Sequence, residues 1–199
     1  MGTSQELYRT ARKLIPGGTQ LLSKRPEMFS PELWPAYYDR AWGCRIRDVD
    51  GREYRDMSYM GIGSAILGYA DPDVNRAVSD ALSRGATTTL NAPEEVALAE
   101  LMVSLHPWAH MVRYARTGGE AMAVAVRIAR AASGKDTVLF CGYHGWHDWY
   151  LSANLAADSA LDGHLLPGLE PRGVPRALRG TALPFKYNDT HEFLSLIHI

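Results

Sequence analysis

The chain has 199 residues, 46% hydrophobic and 22% charged, a balance that excludes a disordered polypeptide and allows one large domain or two small ones. Its 21 Lys and Arg against 22 Asp and Glu leave a formal charge of -1, so no basic field points to nucleic acid or an anionic membrane, and the expected partner is a small molecule. Cys44 and Cys141 show no paired spacing, which argues against a disulfide framework or a cysteine zinc site and fits a cytoplasmic protein.

No uninterrupted apolar run approaches the ~18 residues of a membrane span, and the N-terminus lacks the apolar core of a secretion signal, so an unprocessed soluble chain is expected. Residues 4–14 carry Leu7, Ala11 and Leu14 at helical spacing, and Pro16-Gly17-Gly18 stops that helix. A proline-punctuated loop follows over 20–35, where Met28, Phe29, Leu33 and Trp34 predict a packed loop. Short extended runs at 37–39, 44–48 and 53–57 then predict an antiparallel meander. Asp50-Gly51 is its hairpin signal, a primed turn with positive φ at both central residues.

The run Gly61-Ile62-Gly63-Ser64-Ala65-Ile66-Leu67-Gly68 is too rich in glycine for a stable helix and is expected to bring backbone close to something. Asp71-Pro72 opens a helix to about residue 84, with Asp71 as N-cap, and Pro93-Glu94-Glu95 opens another. From 111 the predicted order is strand (111–115), helix (120–132), strand (137–141), a βαβ unit that implies parallel strands, with a further extended run at 182–187. His106 and His110 have i, i+4 spacing, but Pro107 between them places both in a loop, and Trp108 is expected on the core with Pro107 and Met111.

Thr117-Gly118-Gly119-Glu120 stands where the predicted strand gives way to a helix, so free N–H groups and the positive end of the helix dipole point outward together. Such a turn binds phosphate, although a glycine turn is also a plain topological need. Small residues in the following helix, Ala121, Ala123, Ala125 and Ala129, are expected to let it lie close on a sheet. After the next strand comes Gly142-Tyr143-His144-Gly145-Trp146-His147-Asp148. Ligands of open α/β sheets bind beyond the C-terminal strand ends, so this segment and the glycine turn are expected to face one site.

Here the sequence resembles the class III pyridoxal-phosphate aminotransferases, within them the branch like glutamate-1-semialdehyde 2,1-aminomutase. The residues that carry the resemblance are Pro16-Gly17-Gly18-Thr19, Val49-Asp50-Gly51, Ile66-Leu67-Gly68-Tyr69-Ala70-Asp71-Pro72, Met111-Val112-Arg113-Tyr114, Gly119-Glu120-Ala121 with Ala129-Arg130, and Tyr143-His144-Gly145. The resemblance implies an α/β, fold type I transferase, here incomplete. Residues 1–70 would form an N-terminal helix, loop and meander, and residues 71–199 a truncated, mostly parallel-sheet domain that binds pyridoxal 5'-phosphate. Gly118 and Gly119 match the turn that holds the cofactor phosphate, with Thr117 beside them. Tyr143 matches the aromatic that stacks on the pyridine ring, with His144 next to it, and Gly63 and Ser64 match a segment bordering the substrate pocket. The family usually has Ser or Thr where this chain has Gly119, so a hydroxyl donor is absent there; Thr117 or Arg116 is expected to offset the loss.

Other readings stand beside these. Tyr143 fits a packed aromatic at a strand end, and Glu120 fits a dipole partner as well as a cofactor contact. His144, His147 and Asp148 fit a polar surface loop better than a metal site, and Trp146 and Trp149 fit packing or an interface. Pyridoxal-phosphate transamination needs a Schiff-base lysine and an acidic partner for the pyridine nitrogen. None of Lys13, Lys24, Lys135 and Lys186 stands in the matching context, and Asp189 caps a terminal helix whose apolar residues find no partner. The expectation is therefore an N-terminal fragment, inactive alone, of a homodimeric enzyme that moves an amino group on an amino acid, semialdehyde or amino-sugar substrate. The alternatives are a non-catalytic phosphate-binding module and a metal-dependent hydrolase.

Overall fold

The structure, a computed structural model, describes residues 2–58, 60–157, 159–164 and 168–198. Tertiary contacts divide the chain into two compact units, Met1–Asn91 and Ala92–Ile199. The helix opened by Asp71-Pro72, grouped with the second segment in the sequence reading, falls in the first unit.

The first unit opens with α1 (Thr3–Leu14), stopped as expected at Pro16, where a 3-10 turn begins. One face carries Ser4 and Ala11, both buried, while Leu14 projects into solvent. Short 3-10 turns at Leu22–Lys24 and Pro26–Met28 order the proline-rich loop, and Phe29 stacks on Trp34 with ring centroids 4.3 Å apart. That loop packs on itself instead of entering a core, since Met28, Phe29 and Leu33 remain exposed.

The predicted meander forms from β1 (Tyr38–Trp42), β2 (Arg45–Asp48) and β3 (Glu53–Arg55), paired antiparallel in that order. The turn differs from the expectation. Of the Asp50-Gly51 pair only Gly51 has positive φ (84°); the Gly51 N–H donates to the Asp48 carbonyl at 3.0 Å and the Asp48 N–H to the Arg52 carbonyl at 2.9 Å. This is the longer hairpin loop in which a single left-handed glycine makes a bulge, and a primed two-residue turn is not formed. The buried Asp48 carboxylate selects it by accepting from the N–H groups of Asp50 (3.0 Å) and Arg52 (2.8 Å) and from the Tyr54 hydroxyl (2.9 Å).

Beyond the meander the glycine-rich run brings Gly68 against Gly43: a Cβ at 68 would stand 3.1 Å from the Gly43 Cα, and Gly43 and Tyr69 exchange two backbone hydrogen bonds of 2.8 Å. The Tyr69 hydroxyl donates to Asp56 at 2.6 Å, and desolvation together with that carboxylate pushes the phenol up to about 12. Then α2 (Pro72–Ser83) follows, with the Asp71 carboxylate accepting from the N–H groups of Asp73 and Val74 at 3.0 Å each. The predicted N-cap and first-turn proline are both realised.

The second unit comprises α3 (Pro93–Leu105), α4 (Gly118–Ser133), β4 (Val138–Phe140), α5 (Asp148–Leu151), β5 (Ala182–Pro184) and α6 (Thr190–Leu196). Strands β4 and β5 pair parallel, with Val138 opposite Ala182 and Phe140 opposite Pro184. The expected strand at 111–115 is not formed: these residues have no regular structure, and Met111 is 91% exposed. A strand is defined by its ladder, and among the described residues none runs beside this segment to complete one. Trp108 is also corrected, standing 81% exposed instead of packed on the core.

The core gathers Val126 of α4, Phe140 of β4, Ala182 of β5, Trp149 and Tyr150 of α5, and Ala153 and Leu161, with Met122 and Ala123 against it. Burial by medium and large apolar groups therefore seats α4. Of its four expected close-packing alanines only Ala123 lies on this face; Ala121, Ala125 and Ala129 are exposed. Arg130 ties the same helix to the strands, donating from Nε to the Asp136 carbonyl (2.7 Å) and from a terminal nitrogen to the Thr181 carbonyl (3.1 Å).

Candidate functional site

The N-terminus of α4 is built by local capping. Thr117 is the N-cap, and its Oγ1 accepts from the Glu120 N–H at 3.2 Å, while the Glu120 carboxylate accepts from the Arg116 N–H at 3.0 Å. Thr-x-x-Glu before a helical run is the sequence signature of a capping box; here the glutamate reaches one residue past the cap, to the Arg116 N–H, and that bond accounts for Glu120 without a ligand. The Ala121 N–H donates to the Thr117 carbonyl at 3.0 Å. The N–H groups of Gly118 and Gly119 are left without an acceptor among the described residues, at the positive end of a 16-residue helix.

The segment after β4 closes on this turn. A Cβ at Gly145, which has φ of 102°, would lie 3.0 Å from the Gly119 Cα, so only glycine lets the two backbones approach this closely. The structure thus brings the two sequence-predicted segments together at the C-terminal end of β4. Their side chains are arranged unequally. Tyr143 is 38% exposed, its ring T-shaped against that of Tyr150 with centroids 5.7 Å apart and planes at 82°.

His144 turns inward. Its Nε2 donates to the Cys141 carbonyl at 2.7 Å and its ring lies by Phe140 and Trp149, so it braces the segment that presents Tyr143. Trp149 is buried in the core, and Trp146 is exposed and stacked on His147. Tyr150 is fully buried beneath them. Desolvation first, and Tyr143 second, push its phenol up to about 12.

Arg116 is exposed, and among the described residues only its backbone is hydrogen-bonded. Thr117 commits an oxygen lone pair to capping but keeps its hydroxyl proton. Gly63 and Ser64 lie in the first unit, in a turn closed by the Ser64 hydroxyl donating to the Gly61 carbonyl at 2.6 Å. Lys135 follows the far end of α4, roughly 24 Å along the helix from its capped start at 1.5 Å per residue. Lys186 is exposed just past β5, and its N–H donates to Glu192. Among the described residues no three of His, Cys, Asp and Glu gather closely enough to hold a metal.

A helix start with two free N–H groups, beside an exposed tyrosine at the C-terminal end of a parallel strand, is the kind of place where α/β proteins can hold a phosphate. The chain belongs to the class III aminotransferases, whose family model matches residues 29–167. It is 40% identical over 188 residues to a glutamate-1-semialdehyde 2,1-aminomutase of Desulfovibrio desulfuricans, covering 94% of this chain and 43% of that protein. It is 42% identical over 121 residues to a 2'-deamino-2'-hydroxyneamine transaminase of Streptomyces kanamyceticus, covering 60% and 31%. The FumI protein of Sphingopyxis sp. MTA144, solved in its PLP internal aldimine form, superposes with a TM-score of 0.79 at 27% identity over 99% of this chain and 44% of that one.

The chain thus spans about 43% of the first of these relatives and has the fold of the type I pyridoxal-phosphate enzymes. Family and neighbour point to pyridoxal phosphate, and the residues here fit it. The cup at Gly118-Gly119 offers two unpaired donors and no obstructing side chain of its own, and an exposed tyrosine ring stands on the adjoining segment.

The sequence alone did not mark His147 as a neighbour of the cup; it fitted a polar surface loop better than a metal site. A Cβ on Gly119 would meet the His147 Cδ2 and Nε2 at 3.0 Å. No local spacing signals that approach, since 28 residues of helix, turn and strand separate the two.

Proposed function

We propose that the protein carrying this chain transfers an amino group on a small amine or carbonyl substrate, an amino acid, a semialdehyde or an amino sugar, with pyridoxal 5'-phosphate as cofactor. The observation that carries the reading is the pair of unpaired N–H groups at Gly118 and Gly119, set against the segment that presents Tyr143. In this reading the two amides and the Thr117 hydroxyl hold the phosphate, and the helix dipole favours its charge. Tyr143 stacks on the pyridine ring, and His144 keeps that aromatic in place by anchoring its own backbone segment to the Cys141 carbonyl. Pyridoxal phosphate, when bound, draws electrons from the substrate carbon so that a proton can leave it.

Gly63 and Ser64 border the substrate in this reading, as the resemblance implies. In this reading neither Lys135, past the far end of α4, nor Lys186, just past β5, supplies the amine that holds the cofactor and moves the proton. An aminomutase and an amino-sugar transaminase among the relatives support the range of substrates. Transamination and aminomutation share the same half-reactions, and the cup serves both. We also propose a cytoplasmic homodimer: Cys44 and Cys141 are both free thiols, and the resemblance implies the pairing. No helix among the described residues is long and apolar enough to cross a membrane.

The test is cofactor affinity of the purified protein with Tyr143→Phe and Tyr143→Ala. Phenylalanine keeps the stacking face and is expected to bind pyridoxal phosphate as the parent does, whereas alanine weakens binding about tenfold, the order of one lost aromatic contact. Equal affinity in all three proteins would remove Tyr143 from the site.

A further inference from the structure

We infer that His147 supplies the side-chain donor that position 119 lacks, its ring N–H binding the cofactor phosphate alongside the amides of Gly118 and Gly119. This rests on the reading of the glycine turn as a phosphate cup. The space that a side chain at 119 would enter is filled by the His147 ring, whose Nε2 stands 3.0 Å from the place of that Cβ. Neither ring nitrogen of His147 has a hydrogen-bond partner among the described residues, although the residue is half-buried. The imidazole is held by stacking on Trp146, with centroids 5.1 Å apart and planes 20° apart.

Its backbone is equally set. The His147 carbonyl accepts from the N–H groups of Tyr150 (2.9 Å) and Leu151 (3.1 Å), which fixes the residue at the start of α5. A polar ring so constrained, beside two unpaired amides, adds a side-chain donor to the cradle for a phosphate monoester. Among the described residues no hydrogen bond or ion pair aims the Arg116 side chain, and the Thr117 hydroxyl, whose oxygen caps Glu120, adds a donor of its own beside that of His147. Glycine at 119 and histidine at 147 are then one device, because any larger residue at 119 displaces the ring.

The experiment compares dissociation constants for pyridoxal phosphate and for pyridoxal, whose ratio isolates the phosphate contribution. In the purified protein His147→Ala is expected to reduce the preference for the phosphorylated form about tenfold, the loss of one hydrogen bond to a charged group, with pyridoxal binding unchanged. Gly119→Ser in the His147→Ala background, where the ring no longer blocks a hydroxyl, is expected to restore most of it. Should His147→Ala fail to fold, the pair His147→Gln, which keeps an N–H donor, and His147→Met, which keeps bulk without one, decides: the preference survives in the first and falls in the second. An unchanged ratio in the variants lacking a donor, or an equal loss for both ligands, overturns the role of His147 alone. No preference in the parent protein overturns the phosphate cup itself.

Discussion

The carboxylate of Asp50, in the β2–β3 loop, caps a helix that begins 47 residues earlier, accepting from the Thr3 N–H at 2.7 Å. It also accepts from the Ser4 N–H at 3.2 Å, and the Ser4 hydroxyl in turn accepts from the Tyr37 N–H at 3.0 Å. The N-terminal end of α1 is thus satisfied by tertiary structure, since Gly2 at its N-cap has no side chain to offer.

This relationship makes the first unit acid-sensitive. Hydrogen bonds from Thr3, side chain and backbone, and then from the Ser4 N–H, hold the Asp50 carboxyl below its ordinary range. A depressed pKa contributes stability that is complete above the ordinary carboxylate value and lost as pH falls through the lowered folded value. Denaturant melts taken from neutral pH downward should show that loss in the parent chain, and Asp50→Asn should start less stable and lack this part of the acid slope. Parallel acid slopes in the two would remove Asp50 as its source.

Thr117→Ala is expected to cost about 1 kcal/mol, the usual loss of an N-cap, and to fray the first turn of α4. Thr117→Ser, which keeps the oxygen, should cost a few tenths at most. Hydrogen exchange at the Glu120 amide reports the fraying directly, and an unaltered rate in Thr117→Ala would show that the cap contributes nothing.

Tyr150 is fully buried, and its hydroxyl makes only a long bond, 3.4 Å, to the Gly142 carbonyl. Tyr150→Phe should therefore cost no more than about 1 kcal/mol, whereas Tyr150→Ala, which empties a core position, should cost about 3–5 kcal/mol. Its phenol, pushed up to about 12 by burial, gives the opposite sign to Asp50. That contribution is complete below the unfolded tyrosine value and disappears as pH rises through the folded one. Ultraviolet titration should show as many tyrosines ionising near the ordinary value in the folded parent as in folded Tyr150→Phe; one more in the parent would contradict the burial.

Lys186 is the lysine nearest in sequence to a parallel strand end, yet it is exposed and no contact turns it toward the glycine turn. Borohydride reduction of the 199-residue chain with pyridoxal phosphate should leave Lys186 unmodified, as read by peptide mass. Stoichiometric labelling there would place the cofactor-binding amine within this chain.

Much of this architecture was readable in local chemistry. Asp71-Pro72 announced α2, Asp189 announced α6 and accepts from the Glu192 N–H at 2.8 Å, and Thr117-Gly118-Gly119-Glu120 announced the start of α4. Caps and first-turn prolines act within three or four residues, so a window of sequence contains both partners. The hairpin was legible as a hairpin but not in its turn, because the buried Asp48 carboxylate, through its bonds to Asp50 and Arg52, favours the bulged loop over the primed one.

The segment 111–115 marks the limit of that legibility. It was expected as a strand, but pairing is a property of two segments, and no described strand lies beside it. The same holds at the site. By itself the sequence determined the glycine turn, the helix it caps and the aromatic segment after β4, because each depends on near neighbours along the chain. Only tertiary structure decided that Gly145 closes on Gly119, that His144 faces the core while Tyr143 stays open, and that the His147 ring fills the place of a side chain at 119. Those outcomes depend on how α4 and β4 pack through Val126 and Phe140, and long-range packing leaves no mark in the spacing of residues.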